Sequence, residues 1–298
     1  MISELEIDCE SEAKRIEDFI SEVVRNSGRD GLVLGLSGGL DSSVVAVLAV
    51  KALGSESVLA LLMPERDSSK ESVDDALLLC DKFGIKQDLI DIEPALRELR
   101  CYDNMPSKLI RLRGGARYAV KAFPALARKG YLSSLKGEGH REFREFIAFY
   151  RIKHRIRMVM IFHEAERLNM LATSCANRTE FEVGFFVKYG DDSGDIAPIK
   201  HLYKTQVFQL AEYLGVPDVI IDKKPSPDLF AGIADEEIMG IDYVTLDSIL
   251  ACISSGETLD AIAKKLNVSE KKVRFVFDAV EASEPLRSFP ISLPGQRE

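Results

Sequence analysis

A glycine turn between an apolar strand and a helix is the feature that most limits how this chain can fold. Residues 31–36 read Gly-Leu-Val-Leu-Gly-Leu, and Ser37-Gly38-Gly39-Leu40-Asp41-Ser42-Ser43 follow directly, ahead of an alanine- and valine-rich helical segment. Two glycines permit a turn in which backbone N–H groups converge, and the start of the following helix adds partial positive charge. The order strand, turn, helix therefore predicts an anion-binding loop at the edge of a sheet.

The side chains of this turn indicate which anion it binds. Ser37, Ser42 and Ser43 supply hydroxyl donors, whereas Asp41 would repel phosphate if it acted alone. Its presence suggests a magnesium ion that bridges carboxylate and phosphate oxygens, and hence a nucleotide pyrophosphate site. The absence of Gly-Lys-Ser/Thr and of Gly-x-Gly-x-x-Gly disfavours the common P-loop and a Rossmann dinucleotide site. An ordinary serine-capped glycine turn is the alternative that the motif leaves open by itself.

Strand-like and helical segments alternate as far as residue 214. Strands are predicted over 31–36, 58–63, 86–90 and 170–173, and helices over 11–25, 42–53, 70–83, 157–168 and 201–214. This alternation predicts an α/β fold with a doubly wound parallel sheet. Ligands of such sheets bind at the carboxyl ends of the strands, which makes Arg66 a candidate phosphate or adenine contact. A solvated loop arginine is the alternative for that residue.

A dense polar cluster follows the fourth predicted strand. Lys188 precedes an acidic turn with Asp191, Asp192 and Asp195, which is suited to hold ribose hydroxyls or a cation. Lys204 falls in the first turn of the next predicted helix, where its charge opposes the helix dipole. An anionic ligand explains that placement, and a plain exposed lysine is the alternative.

Composition narrows the class of protein. A chain of 298 residues, 46% of them hydrophobic, can bury one large α/β domain. Its five cysteines and four histidines form no CxxC pair or ligand-spaced cluster, so zinc or an iron–sulfur centre is not expected. An odd cysteine count without a signal peptide indicates the reducing cytoplasm. No apolar run approaches the roughly 20 residues that span a bilayer, so no membrane partner is expected.

Charge is distributed unevenly along the chain. The formal net charge is −9, yet the stretch from Lys108 to Lys153 contains twelve Lys or Arg and three Glu. Such a basic insert on an acidic body would attract a polyanion. An amphipathic helix pair with a solvated basic face is the simpler interpretation.

Together these segments resemble a known family. SGGLDSS after a strand resembles the PP-loop of the N-type ATP pyrophosphatases, and the longer pattern resembles NAD synthetases of the ammonia-dependent type. Shared order and spacing over most of residues 30–250 are more specific than any single loop. The matching stretches are LGLSGGLDSSVV, MPERDSS with DDALLLCDKFGI, RTEFEVGFFVKYGDDSGDIAPI, LYKTQVFQLAEYLGVP and KKPSPDLFAGIADEEIMGIDY.

The resemblance implies one NAD synthetase-like domain over residues 1–298, with an adenine nucleotide α-hydrolase-like sheet. We place a basic helical insert at about 101–150 and a C-terminal helical segment at about 243–298. A cytoplasmic homodimer is implied, with small-molecule substrates and no nucleic acid as partner.

Individual residues fall on positions to which the family assigns roles. Those on ATP-binding positions are Ser37, Gly38, Gly39, Asp41, Ser42, Ser43, Arg66, Lys204 and Ser226. Those on magnesium positions are Asp41 and Glu180, and those on positions that hold the deamido-NAD are Lys188, Asp191 and Asp195. Asp41, Lys204 and Ser226 are the expected catalytic residues, because a metal ligand, a lysine and a hydroxyl can neutralise departing pyrophosphate.

The implied reaction uses ATP and Mg²⁺ to amidate nicotinic acid adenine dinucleotide. The nicotinate carboxylate attacks the α-phosphate, which gives an adenylate and pyrophosphate, and ammonia then displaces AMP. Catalysis would rest on positioning, charge neutralisation and exclusion of water. Because the glycine turn begins at residue 37, no N-terminal glutaminase domain is expected, and ammonia would come free or from a partner.

The chain departs from the family mainly on the acceptor side. The family's Gly-Thr-Gly/Asp-Asn turn reads Ser174-Cys175-Ala176-Asn177, and its Gly-Gln-Thr-Asp-Glu lid reads Gly232-Ile233-Ala234-Asp235-Glu236. The usual Asn-x-Lys-Ala-Arg reads Arg151-Ile152-Lys153-His154-Arg155. This pattern supports a rival hypothesis, a PP-loop ligase that adenylates a different and more anionic carboxylate.

Two further alternatives involve nucleic acid. A tRNA-modifying PP-loop enzyme would use the basic stretch 111–151, in which Tyr118, Phe123 and Tyr131 are interleaved. The acidic overall charge and the missing cysteine pair for sulfur transfer argue against it. Residues 258–276 are typical of a helix-turn-helix, yet such helix pairs are common packing units, so DNA binding is not favoured.

Overall fold

A parallel sheet forms the centre of the fold. The computed structural model describes residues 2–103, 124–223 and 235–288. In these ranges the strands are β1 Leu32–Gly35, β2 Val58–Leu62, β3 Lys86–Leu89 and β4 Leu171–Thr173. They lie in the order β3-β2-β1-β4, and Leu32 is opposite both Val58 and Leu171. The predicted α/β fold with a parallel sheet is confirmed, and the predicted strands differ by at most one residue at each end.

Capping signals explain where several helices begin and end. Asp8, Ser69 and Asp242 accept hydrogen bonds from first-turn N–H groups, and Gly28 and Gly84 end two helices in the left-handed conformation. None of the helices in the described ranges is both long and apolar enough to cross a membrane. The helices are α1 Cys9–Ser27, α2 Leu40–Leu53, α3 Lys70–Phe83, α4 Glu93–Glu98, α5 Pro124–Leu135, α6 Arg141–Arg167, α7 Arg178–Val183, α8 Lys204–Leu214, α9 Asp218–Ile221, α10 Asp235–Met239, α11 Tyr243–Ser254, α12 Leu259–Leu266 and α13 Glu270–Arg287.

Helices cover both faces of the sheet. Leu32 and Leu34 of β1 belong to a core that includes buried residues of α1, α2 and α8. Val33 of β1 and Ala172 of β4 belong to a separate core, into which Ile161 of α6 also packs. Strands β1, β2 and β4 are largely buried, and apart from Thr173 their residues are apolar or glycine, as is typical of strands covered on both faces. This is the doubly wound arrangement that the sequence predicts.

Helix α6 is longer than the sequence predicts. The expected helix covers 157–168, whereas α6 begins at Arg141 and continues to Arg167. Its first half is rich in arginine and glutamate, which obscures the apolar periodicity. Phe146, Phe149 and Tyr150 are nevertheless buried. This half of the basic insert therefore packs its apolar residues against the molecule, as an amphipathic helix does, while residues 104–123 lie outside the described residues.

A further hydrophobic core joins α5 to the C-terminal helices. The Tyr131 hydroxyl of α5 donates to the Val183 carbonyl oxygen at 2.5 Å, and the ring is buried. Ile262 of α12 and Val273 of α13 are buried in the same core, and Asn267 forms the turn between the two helices with φ of +52°. The predicted helix pair is confirmed as an internal packing unit. Tyr131 is thus part of this core, and Tyr118 and Phe123 lie outside the described residues.

Candidate active site

The glycine turn lies at the carboxyl end of β1. Gly38 has φ of +73° and Gly39 is the N-cap of α2, so the turn leads directly into the helix. The Gly39 N–H donates to Ser37 Oγ at 3.2 Å, and Ser37 Oγ lies 3.1 Å from Ser42 Oγ. The buried Ser43 hydroxyl donates to the Gly39 carbonyl oxygen at 2.8 Å. Ser43 therefore maintains the shape of the turn, while the other six residues, 37–42, line a cavity.

This active-site cavity has a volume of about 530 Å³. It is bounded by the ends of β1 and β2, by one face of α6, and by the starts of α8 and α10. The end near the glycine turn is charged, and the end near α5 is largely apolar, with Tyr131, Phe143 and Ile147 in its wall. Its position at the carboxyl ends of parallel strands is where an open α/β sheet binds ligands.

Three predicted residues meet beside the turn. Lys204 Nζ pairs with the Asp41 carboxylate and lies 3.8 Å from Glu180 Oε1. The Lys204 side chain is only 2% exposed, so these carboxylates, and not water, balance its charge. Asn177 donates from Nδ2 to Asp41 Oδ1 at 2.9 Å and also caps α7 through the Glu180 N–H. We call Asp41, Glu180 and Lys204 the charged cluster.

Burial and mutual charge set the protonation of the charged cluster. Burial, followed by the Asp41 carboxylate, raises the pKa of Glu180 well above its usual range. Burial opposes the charge of Lys204, but the carboxylates of Asp41, Glu180 and Asp235 outweigh it and raise the pKa of Lys204. Lys204 therefore remains an ammonium ion beside carboxylates that a cation can neutralise further.

Asp41 and Glu180 are the predicted magnesium ligands. Within the ranges that the structure describes, no group of three or more His, Cys, Asp or Glu could hold a metal. The protein thus offers two carboxylates at this point. Mg²⁺ is commonly held by one or two carboxylates, with substrate phosphates and water as the other ligands. The residues fit a magnesium ion that arrives with a nucleotide, and they do not form an all-protein metal centre.

Asp235 opens the part of the chain described after residue 223. Its side chain is buried beside the charged cluster, and Oδ2 accepts a hydrogen bond from the Tyr243 hydroxyl at 2.6 Å. Burial raises the pKa of Asp235 to about 6. Glu236, the other acidic residue of the predicted lid, accepts from the Tyr243 N–H at 2.9 Å. Ser226 lies outside the described residues, as do the changed positions 232–234.

The loop after β2 reaches the cavity, but Arg66 lies on its outer side. The Arg66 guanidinium stacks over the Tyr102 ring at 4.0 Å, and its Nε is 3.3 Å from Asp67 Oδ1. Arg66 is therefore directed toward a neighbouring aromatic residue and is not among the cavity-lining residues. The residues of this loop that line the cavity are Met63, Pro64 and Ser68.

Asp191 is the predicted acceptor-side residue that lines the cavity. Its Oδ1 accepts from the Val187 N–H at 2.7 Å and lies 3.7 Å from His154 Nδ1. Burial raises the pKa of Asp191 to about 6. This carboxylate is thus held by the backbone of its own loop at the edge of the cavity.

The other two predicted acceptor-side residues bind backbone groups. Lys188 Nζ donates to the carbonyl oxygens of Pro285 at 3.1 Å and Ser288 at 2.6 Å, where α13 ends. Asp195 Oδ2 accepts from the Ala172 N–H of β4 at 2.9 Å. Lys188 and Asp195 therefore bind backbone groups, and neither lines the cavity.

Sequence reasoning missed a cationic face of α6. Arg151, His154 and Arg157 all line the cavity. Arg157 donates from Nε to the Met63 carbonyl oxygen at 3.1 Å, and Arg151 donates from Nη2 to the Ser134 carbonyl oxygen at 3.3 Å. No described carboxylate lies within salt-bridge distance of Arg151. The signal was present, because basic residues three apart share one face of a helix.

The fold and site define a class. The chain combines a parallel α/β sheet with an SGGxDSS turn, beside which a lysine meets two carboxylates. The sheet and the turn define the class of N-type ATP pyrophosphatases. The family model described as NAD synthase matches residues 12–113 and 129–290. The chain belongs to the NAD synthase family.

Relatives agree over nearly the whole chain. The NH(3)-dependent NAD(+) synthetase of Thermotoga maritima is 42% identical over 90% of this chain and 94% of its own length. That of Archaeoglobus fulgidus is also 42% identical, over 94% of this chain and 95% of its own length. The solved structure of NMN synthetase from Francisella tularensis superposes with a TM-score of 0.72 at 26% identity, covering 97% of this chain and 99% of that one.

Proposed function

We propose that the chain catalyses the ATP-dependent amidation of nicotinic acid adenine dinucleotide to NAD, with release of AMP and pyrophosphate. The observation that carries this proposal is the charged cluster of Asp41, Glu180 and Lys204, which lies beside a phosphate-binding turn in one cavity with a cationic helix face. Relatives that are 42% identical to the chain over most of its length are named NH(3)-dependent NAD(+) synthetases, which supports the proposal.

The glycine turn binds the ATP phosphates. Gly38, Gly39 and Ser37 present backbone and hydroxyl donors to the cavity, and the start of α2 adds partial positive charge. Asp41 and Glu180 would hold Mg²⁺, which supplies neutralisation of phosphate charge when it is bound. The buried Lys204 ammonium adds a fixed cation at the same point.

The chemistry needs positioning and no covalent enzyme intermediate. The nicotinate carboxylate oxygen attacks the α-phosphate, forming the acyl adenylate as the bond to the β-phosphate bridging oxygen breaks. Lys204, together with the proposed Ser226, stabilises the departing pyrophosphate. Ammonia then attacks the acyl carbon, AMP leaves with the carboxyl-derived oxygen, and the proton lost from nitrogen passes to the departing AMP phosphate or to solvent. The apolar end of the cavity keeps water away from the adenylate.

The acceptor binds between Asp191 and the cationic face of α6. Both Asp191 and Arg151 line the cavity. In this proposal Asp191 accepts hydrogen bonds from ribose hydroxyls, and Arg151 pairs with a phosphate of the acceptor. Lys188 and Asp195, which the resemblance places at the acceptor, support this site by fixing the backbone around it.

A second candidate acceptor is the deamidated mononucleotide. Arg151 has no carboxylate partner among the described residues, and the structural relative from Francisella tularensis is an NMN synthetase. A mononucleotide ends in a phosphate monoester, which carries more charge than one phosphate of a dinucleotide and pairs well with an arginine. The deamidated mononucleotide is thus a specific candidate for the more anionic carboxylate of the rival ligase hypothesis.

We also propose a cytoplasmic homodimer. All five cysteines are free thiols, which fits a reducing compartment. Val159 on the outer side of α6 is 61% exposed and offers an apolar contact for a second copy. Light scattering should give twice the mass of the chain, whereas the mass of one chain would contradict the dimer.

The deciding experiment supplies ATP, Mg²⁺ and ammonium with either acceptor or with none. Coupled release of pyrophosphate and AMP with formation of NAD establishes the dinucleotide reaction. Faster formation of nicotinamide mononucleotide from the mononucleotide would favour the second candidate. Binding of ATP without amidation of either acceptor would contradict both.

A further inference from the structure

A buried lysine joins α6 to the loop after β2. Lys153 Nζ lies 2.8 Å from Glu65 Oε1 and 2.8 Å from Asp67 Oδ2. The Lys153 and Glu65 side chains are 4% and 3% exposed, whereas Asp67 is 38% exposed. The second Glu65 oxygen accepts from the Tyr102 hydroxyl at 3.1 Å. Both carboxylates that flank Arg66 are therefore held by one side chain of α6.

This interaction is a poor way to gain stability alone. Removing two charges from water costs about as much as their attraction returns, so a buried ion pair is weak evidence for a stabilising role. What the pair does provide is a defined geometry. Ser68 Oγ accepts from the Glu65 N–H at 3.1 Å, and the Arg157 guanidinium of α6 fixes the Met63 carbonyl oxygen. Helix α6 thus holds the loop at Met63 through Arg157, and at Glu65 and Asp67 through Lys153.

The ion pairs of Lys153 connect two parts of the cavity wall, the loop after β2 and helix α6. The loop contributes Met63, Pro64 and Ser68 to the cavity wall beside the glycine turn. Within one turn of Lys153, α6 contributes Arg151 and His154 to the proposed acceptor side of the same cavity. A displacement of α6 on one side is therefore passed to the loop on the other through Lys153.

We infer that Lys153 is a positioning residue that fixes the 63–69 loop against α6 and couples ATP binding to acceptor binding. The coupling rests on the proposed function, because it concerns the acceptor of that reaction. Since coupling between two sites is reciprocal, each ligand should raise the affinity for the other. Lys153 contacts neither ligand in this account.

The test compares Lys153→Met with the matched control Lys70→Met, in which an 85% exposed lysine loses its surface partner Asp74. Titration with ATP, with and without acceptor, should show at least about fivefold tighter ATP binding with acceptor in the unchanged protein. Lys153→Met should reduce that factor to about one and raise KM for ATP more than it lowers kcat, and Lys153→Arg should restore part of the effect.

A double variant separates positioning from folding. Lys153→Met with Glu65→Met removes both buried charges and should recover thermal stability, since apolar replacements of a buried pair are tolerated. It should not recover the coupling. If the double variant regains coupling and KM for ATP, or if Lys153→Met behaves like Lys70→Met, the inference is overturned.

Amide hydrogen exchange makes the result independent of the reaction. The backbone amides of residues 65–68 should exchange at least about tenfold faster in Lys153→Met than in Lys70→Met, without any ligand. Unchanged exchange overturns the positioning role whether or not the protein amidates either acceptor. Faster exchange in a protein that amidates neither acceptor would instead reject the proposed function while the positioning of the loop by Lys153 stands.

Discussion

The proposed phosphate side and the proposed acceptor side of the cavity use charged residues in different ways. On the phosphate side, Lys204 and Asp41 meet each other inside the cavity. On the acceptor side, Lys188 and Asp195 turn to backbone groups of α13 and β4. The difference teaches that a charged motif predicts chemistry best when a short, rigid turn presents it, since its surroundings are then set locally.

The largest effect should come from Asp41→Asn on the phosphate side. Because Asp41 is a proposed magnesium ligand, its loss should lower magnesium-dependent pyrophosphate release on the order of 10²- to 10³-fold. The amide can still accept from Asn177, and Lys204 retains Glu180, so the protein should stay folded. Asp74→Asn, at a surface ion pair, is the control. Equal rates in the two variants would remove Asp41 from the site.

The next effect should come from Arg151→Asn on the acceptor side. KM for the acceptor should rise about tenfold, which is the change expected from about 1.4 kcal/mol of lost binding. At saturating acceptor, KM for ATP should stay the same, because the described hydrogen bond of Arg151 is to Ser134 and not to the glycine turn. Arg144→Asn on the exposed part of α6 is the control. A parallel rise in both KM values would mean that the two sides cannot be separated at this residue.

Asp247, which helps to position Lys204, should make the stability of the protein depend on pH. Asp247 accepts from the Thr179 hydroxyl at 2.6 Å and the Thr205 N–H at 2.8 Å, and Thr179 in turn accepts from the Lys204 N–H. Burial raises the pKa of Asp247 to about 6. The folded protein therefore holds this proton more tightly than the unfolded chain does, so ionisation destabilises the fold.

Relative to Asp247→Asn, the unchanged protein should lose about 2 kcal/mol of stability as pH rises from about 4 to 6, and little beyond. Urea unfolding at several pH values measures this difference. If the unchanged protein instead gains stability relative to Asp247→Asn as pH rises, hydrogen bonds stabilise the Asp247 carboxylate more than burial destabilises it.

The smallest effect should come from Lys188→Met. Two carbonyl oxygens at the end of α13 lose their donor, and Tm should fall by about 2–4 °C. Calorimetry measures the change, and Lys200→Met, on the same loop, serves as comparison. A rise in acceptor KM without a fall in Tm would show that Lys188 leaves the helix end and reaches the acceptor, as the resemblance implies.

Much of the fold and part of the site could be predicted from the sequence. Strands, the glycine turn and the start of α8 near Lys204 were predictable, because each depends on local periodicity and on turn residues. The role of Lys153 was not, because its partners Glu65 and Asp67 are distant in sequence and a basic stretch ordinarily indicates a solvated surface. The length of α6 was underpredicted for the same reason, since the buried Phe146 and Phe149 lie in a basic stretch of the sequence.

One contact of the glycine turn limits how the motif can be reused. A Cβ at Gly38 would overlap the carbonyl oxygen of Ser72 in the first turn of α3, and its φ is positive as well. The turn is therefore moulded against a neighbouring helix as well as around its ligand. Grafting SGGLDSS onto another sheet would therefore require the beginning of that helix as well, because the packing against Ser72 helps to fix the conformation of the loop.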